Sequence, residues 1–573
     1  MKFILFLVLV VSFGCTRNSD RKDWIDISIP GNISTLDPAN CYDTVCYVPV
    51  AQVYESLYEI NYLKRPYSLR PLIAEGMPEI SKNRLKYTFK IKKGIKYHPS
   101  PIIPEGREVK AQDFETQIKR IAFHGTRSQG WFLLDSKVKG INDWRTKVGT
   151  DLDLFEKEKI PGVTVIDDQT FEVELIRPYP QLLWAMAMTF TAPVPLEAVK
   201  PANNDFSRNH YVGTGPYSIV SFNPTQEVTL IKNENYVTST YPTEGDKYAI
   251  ENNLLKDAGA KLPFVKNVKF SVIIEPQTDW LNFRKKKIDI VNLTKDHYHL
   301  ALTDDGKIKQ EIIDENIQMQ TSSTLIYWWV AFNMKDPILG KNLNLRKAIA
   351  HALNNDKFVH LFTNDISEKA NSIYPPGIAG YDPNHKLPYS YDLEKAKDYL
   401  RKAGYPDGKG LPKLTYDVRG TDSRKRQMGE FVQNELRNIG INVDVRVNTF
   451  PSFLERSRSG ELQFWQGGWV LDYPDAENML QLLATDNLPP GPNSSQYSNP
   501  KFDEKFKELR ELEDGPRKFQ LMKEMEDIVN ADLPWAMQYY SRNCILYHSY
   551  LKNFRYSDII YNNIKYLKLD NKN

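Results

Sequence analysis

The chain has 573 residues, 41% of them hydrophobic and 26% charged. That is the balance of a folded globular protein, and the length exceeds one ordinary core, so two or three lobes are expected. The 75 basic and 72 acidic residues leave a net charge of +3, so no nucleic-acid partner is expected, while 32 tyrosines and 10 tryptophans suit a cleft that binds varied ligands with few polar contacts.

Residues 1–14 read as a leader rather than as part of a fold. Lys2 precedes an apolar run, Phe3 to Val11, too short to span a bilayer. Ser12-Phe13-Gly14-Cys15 follows. That order resembles a bacterial lipobox, in which the cysteine is lipidated and becomes the mature N-terminus; Gly14 supplies the small residue before the cut. An ordinary signal peptide with an incidental cysteine is the alternative. No other stretch approaches 18 consecutive apolar residues, so the mature chain is expected to be exported and anchored through Cys15, not spanning. Cys41 and Cys46 could pair in an exported protein, which would leave Cys544 free and buried in a strand.

Trp24–Ile29 alternates as a strand, Leu36-Asp37-Pro38 starts a turn, and Val48–Leu57 reads as a helix. Between Lys86 and Lys92, Tyr87, Phe89 and Ile91 alternate with lysines, the pattern of a half-buried strand. Asp113 stands near the start of a helix running to about Ala122. His98, with no other metal ligand near it, reads as a packed strand-end residue. Val212-Gly213-Thr214-Gly215-Pro216-Tyr217 is a turn between strands; it lacks the Gly-Lys-Ser/Thr of a phosphate loop. Val268–Ile274 is a predicted strand, Trp280–Lys286 a helix and Ile288–Ile290 a short strand. The basic run Arg284–Lys287 reads as a solvated face, and His297 and His299 as surface residues too few to hold a metal.

Residues 310–535 have the order of an α/β lobe. Val330–Met334 is a buried strand, Leu345–Leu353 a helix, and Asp392 caps a helix that ends before Gly404. Strand Leu414–Val418, helix Arg424–Ile439 and strand Ile441–Val445 argue a βαβ unit with parallel pairing. The next strand, Leu462–Gln466, leads into Gly467-Gly468-Trp469-Val470-Leu471-Asp472-Tyr473-Pro474-Asp475-Ala476-Glu477-Asn478. Open α/β sheets bind ligands where such loops leave the strands' carboxyl ends. Pro474 holds Tyr473 extended, and Asp475 is placed to cap a helix over Ala476–Ala484. Asp472 has no such local task. A carboxylate beside Trp469 and Tyr473 is costly to bury unless it meets a cation; otherwise it faces solvent or ties a turn. No Gly-x-Ser-x-Gly or His-Glu-x-x-His is present, so an exported hydrolase and a metal centre are disfavoured.

Gly-Trp, two residues, then Asp-Tyr before a helix resembles the ligand loop of the oligopeptide- and dipeptide-binding proteins, the extracytoplasmic receptors of ABC peptide importers (solute-binding family 5). The order of Leu36-Asp37-Pro38, Leu72-Ile73-Ala74-Glu75, Tyr87-Thr88-Phe89, Lys93-Gly94-Ile95-Lys96-Tyr97-His98, Val212–Tyr217 and Asn233-Glu234-Asn235-Tyr236 extends the resemblance over nearly the whole mature chain. Gln466 departs from an arginine found there in some members. The resemblance implies an α/β, bilobed periplasmic-binding-protein fold (type II) with an inserted smaller lobe. Its expected divisions are lobe I over 15–60, 191–309 and 536–573, inserted lobe II over 61–190, and lobe III over 310–535. It implies no enzyme activity and no cofactor or metal. Asp472 would hold a short peptide's ammonium, Trp469 would lie along the cleft, and Tyr42 would line it. A monomer anchored by lipid on the periplasmic side of a bacterial envelope would then deliver peptide to a permease and its ATPase subunits. A receptor for a metal chelate, heme or sugar, or a sensor of signalling peptides, would keep the same fold.

Overall fold

The computed structural model describes residues 22–207, 211–489, 491–570 and 572; the expected leader and Cys15 lie outside them. Two long antiparallel strands, Ile317–Phe332 and Trp535–His548, run side by side through the centre of the main sheet. Ile317–Ser323 pairs with His548–Arg542, and Tyr327–Ala331 with Tyr540–Trp535; between these runs the register shifts. One end of the strand pair continues through Ile290–Asn292, Trp24–Ile29, Asn267–Val272, Glu227–Lys232 and Tyr217–Asn223. The other continues through Phe464–Val470, Leu414–Arg419 and Val443–Asn448. Two lobes therefore share one sheet and join at its irregular waist. There the Leu325 N–H, left out of the ladder, donates to Asp558 at 2.6 Å, and the Thr324 hydroxyl donates to the Ser541 carbonyl at 3.0 Å.

Sequence periodicity locates most of these elements but underestimates the long strands. Val330–Met334 proves to be the end of a strand that begins at Ile317, because Gln318, Thr321, Ser322 and Ser323 hide its first half from an apolar pattern. The second long strand, Trp535–His548, starts at the expected division at 535/536. The predicted helix at 48–57 lies at Thr44–Val53, started by Asp43, whose carboxylate accepts from Cys46 N–H. His297, expected at the surface, is buried; its ring joins Thr294 at 2.9 Å and Gln277 at 2.7 Å on the helix Lys295–Ala301. His98 packs as expected, its Nε2 2.8 Å from the Gly215 carbonyl, and burial pushes its pKa down to about 4.

The βαβ unit is present as read. Leu414–Arg419 and Val443–Asn448 are parallel, with Ser423–Arg437 between them, and Phe464–Val470 joins the first strand in parallel. The smaller lobe is an antiparallel sheet in the order Glu79–Ile80, Lys86–Lys90, Thr170–Glu174, Val163–Asp167. Its apolar face stacks on the helix Ala111–Ala122 through Phe89, Phe171 and Phe114, with ring centroids 5.1 and 5.3 Å apart. Tyr87 and Phe89 face inward and Lys86 and Lys90 outward, as their alternation requires.

The small lobe is pinned to the opening turn of the chain. Asp37 and Arg120, both fully buried, meet at 2.7 Å, and Asp37 also accepts the Ala39 and Phe206 N–H groups. Every oxygen of this carboxylate is thus used, which a buried ion requires. Gly213 and Gly215 let the returning chain touch the end of the helix Thr44–Val53: a Cβ at Gly213 would lie 2.1 Å from the Val53 carbonyl oxygen. Cys41 and Cys46 form a disulfide, and Cys544 is free and buried in the strand Trp535–His548.

Candidate functional site

The strand Phe464–Val470 is longer than its apolar start suggests, because it continues through Gly467 and Gly468. These glycines pair with Trp329 and Trp328 on the neighbouring strand. A Cβ at Gly467 would stand 2.4 Å from the Trp329 ring, and one at Gly468 2.3 Å from the Trp328 ring. Absent side chains make room for large rings, and the chain beyond is delivered to the lobe interface.

Asn478 then fixes the loop. Its side-chain oxygen accepts from the Trp469 indole N–H at 2.9 Å and from the Asp472 N–H at 3.2 Å, while its amide donates to Asp472 Oδ2 at 3.0 Å. Asn478 is buried, so these bonds compete little with water. Sequence reasoning missed this residue: an asparagine just inside a helix carries no signal until the loop's curvature is known. Asp475, expected as the helix cap, stands one residue before the N-cap Ala476, and its Oδ1 accepts the Glu477 N–H at 2.8 Å. The helix itself is short, Glu477–Leu480, followed by a 3₁₀ turn Gln481–Leu483. Asp475 Oδ2 also meets buried Lys518 at 2.7 Å and Gln181 of the small lobe at 3.3 Å.

Asp472 is half-buried, and no lysine, arginine or histidine pairs with it among the described residues. Burial raises its pKa above the ordinary carboxylate value, only partly offset by the Asn478 amide. It opens onto a cavity of about 430 Å³ where the lobes meet. Tyr42 and Tyr47 from the segment that follows the first strand, Phe132, Trp184 and Phe190 from the small lobe, and Tyr561 near the C-terminus supply its aromatic surface. The Tyr42 ring lies 6.4 Å from Phe190 at the exposed rim, and its phenol is held above its usual pKa by burial and then by the charge of Asp472.

Tyr42 and Asp472 therefore come together on one cavity, from positions 430 residues apart in sequence. Trp469 does not join its wall; its ring packs beside the core behind the loop and bonds to Asn478. Gln466 is buried and donates to Gln538 at 3.1 Å. The small-lobe aromatics were not singled out from sequence, since their convergence depends on how that lobe docks. At the opposite wall, Glu59 is neutralised by Arg70 at 2.6 Å and Lys565 at 2.8 Å, and these partners, working against burial, bring its pKa down to about 2. Its neighbour Glu55 accepts from the Tyr236 hydroxyl at 2.5 Å, and burial raises its pKa to about 7.

Lobes joined through continuous strands, with an aromatic chamber between them and in its wall a carboxylate, Asp472, that meets no cation among the described residues, define a solute receptor. The chain belongs to the bacterial extracellular solute-binding proteins, family 5, whose middle-region model matches residues 68–488. It is 25% identical over 536 residues to the oligopeptide-binding protein OppA of Bacillus subtilis, a match that covers 91% of this chain and 88% of that protein. It is 24% identical over 498 residues to heme-binding protein A of Haemophilus influenzae, with 84% and 81% covered. Among solved structures, HbpA2 from Haemophilus parasuis superposes with a TM-score of 0.78 at 21% identity, covering 96% of this chain and 100% of that one. DppA from Helicobacter pylori in complex with the peptide STSA gives 0.68 at 23% identity, covering 95% and 98%. Among the described residues no helix is long and apolar enough to cross a membrane.

Proposed function

We propose that the protein captures peptides by their free amino terminus in the interlobe cavity and delivers them to an ABC permease for import. The observation that carries this reading is Asp472: a shielded carboxylate, oriented by Asn478, without a protein cation, opening onto an aromatic chamber. A peptide ammonium supplies the missing charge through a charge-assisted hydrogen bond worth about 1.5–3 kcal/mol. Tyr42 closes over that end of the ligand, and ring faces accept side chains of varied shape. The irregular waist at 323–327 absorbs the hinge motion between the open and closed forms. Peptide binding by the relatives OppA of B. subtilis and DppA of H. pylori favours the same ligand class. A lipid on Cys15 would hold the monomer at the periplasmic side of the envelope, beside the permease and its ATPase subunits.

The heme-binding relative from Haemophilus influenzae points to a second solute, but a porphyrin brings carboxylates of its own into a chamber already bounded by Asp472 and Glu55. The test is a titration with one peptide amidated at its carboxyl end, in free-amine and N-acetylated forms, followed by tryptophan fluorescence, Trp184 standing in the cavity wall. The free form binds and the acetylated form does not. Equal affinities remove Asp472 from its role.

A further inference from the structure

We infer that the cavity receives only the amino-terminal segment of a peptide whose carboxyl terminus lies outside it, so that short peptides with a free carboxylate are disfavoured. The inference rests on the amine-binding role of Asp472 and adds what happens at the ligand's other end. Among the described residues, the cavity wall contains four carboxylates, Asp43, Glu55, Glu59 and Asp472, and no lysine, arginine or histidine. Cations close behind the wall are already engaged: beside the rim, the Lys137 ammonium donates to the Phe132 carbonyl at 2.6 Å and sits over the Tyr179 ring. Arg70 and Lys565 bond Glu59, and the Lys92 ammonium donates to the Leu72 and Thr238 carbonyls. Lys565 stands 3.9 Å from Glu55, farther than from Glu59 at 2.8 Å.

Glu55 sharpens the point. It is 2% exposed, lines the cavity, and its Oε2 has no hydrogen-bond donor at bonding geometry. With burial raising its pKa to about 7, Glu55 is ionised in only part of the molecules at neutral pH, and a carboxylate brought beside it must either face that like charge or hold Glu55 in its protonated form, in a site where water cannot fully screen the charges. An ammonium, a backbone N–H or a neutral amide meets no such opposition. Asp43 does not alter the balance, since its oxygens accept from the Cys46 N–H at 2.9 Å and the Ser34 hydroxyl at 3.1 Å. A longer chain can instead leave past the exposed rim at Tyr42, Phe132 and Val470, carrying its terminal charge into water.

Calorimetric titration of the full protein with matched peptides tests this: an apolar tripeptide and an apolar hexapeptide, each as free acid and as carboxyl-terminal amide. Amidation should tighten the tripeptide about tenfold or more, one repelled charge being worth at least that in a shielded site, and leave the hexapeptide unchanged. Glu55→Gln should narrow the tripeptide's acid–amide gap by improving the free acid alone. A free-acid tripeptide that binds as well as its amide, or a gap that Glu55→Gln leaves intact, overturns the inference. Neither result touches the ammonium site, which stands or falls on N-acetylation.

Discussion

Asp472 and Asp475 stand three residues apart in one loop, in opposite electrostatic settings. Asp475 spends both oxygens on the protein: one takes the Glu477 N–H, the other Lys518 and Gln181. Asp472 accepts one amide hydrogen bond from Asn478 and, among the described residues, meets no cation. The first carboxylate builds the loop and docks it on the small lobe; the second is presented by the loop. Asp475 is buried and Asp472 half-buried, yet the more buried carboxylate is the satisfied one, so what separates structure from function here is whether the charge already has its partners.

The largest effect that should separate the two comes from Lys518→Met. It leaves Asp475 buried without its cation, and breaking a buried pair costs about 3–5 kcal/mol. Denaturant unfolding should show a clear fall in midpoint. Asp472→Asn should do the reverse for the unliganded protein, because the aspartate's raised pKa means that ionising it costs stability. The native state holds this proton more tightly than the unfolded chain. Stability from the group is therefore highest at low pH and declines as pH rises from its ordinary value through the raised one. At neutral pH the asparagine removes that cost, so the midpoint should hold or rise. An unfolding midpoint that drops as far as in Lys518→Met would mean Asp472 is structural after all.

Ligand affinity should move the other way. Asp472→Asn should lose about 1.5–3 kcal/mol of peptide binding, one charge-assisted hydrogen bond. In the wild type, affinity should climb with pH through the raised Asp472 pKa and level off above it, since the ammonium needs the carboxylate ionised. The same pH series on Asp472→Asn should be flat over that range. A wild-type profile with its midpoint at or below the ordinary aspartate value would contradict the raised pKa in the empty site.

How much of this contrast could be read in the sequence follows from which interactions are local. Asp475 was legible to within one residue of its helix terminus, since such contacts need only residues within one turn. The parallel Leu414–Arg419 and Val443–Asn448 strands, and the loop beyond the third strand's carboxyl end, followed from element lengths. Asp472 stood out by elimination together with the family likeness. Asn478, Gln181 and Lys518 did not, because their roles exist only after distant segments dock. The long strands were half hidden for a related reason: ahead of the waist, Gln318–Ser323 are exposed or half-buried along the strand, so they carry no apolar rhythm.

The disulfide offers a smaller test on the opposite face of the cavity. Cys41–Cys46 closes a short loop, and three of the four residues it encloses, Tyr42, Asp43 and Thr44, line the cavity. Replacing both cysteines with serine should cost about 2 kcal/mol of stability, the amount for so short a loop. Peptide affinity should also fall, because that wall must be ordered anew on each binding event. Unchanged affinity in a folded double variant would confine the disulfide to stability.

The finest distinction concerns Trp469, which the family likeness placed along the cleft and the geometry places behind the loop. If its part is to hold Asn478, then Trp469→Phe removes one hydrogen bond, worth about 1 kcal/mol, and should weaken binding severalfold at most. Asn478→Ala frees the Asp472 backbone and carboxylate together and should weaken it more. Because both act through the same aspartate, their effects should nearly vanish in an Asp472→Asn background, the signature of coupled residues in a double-mutant cycle. A direct contact between indole and ligand predicts otherwise: Trp469→Phe would then weaken binding by the same factor whether or not the carboxylate is there.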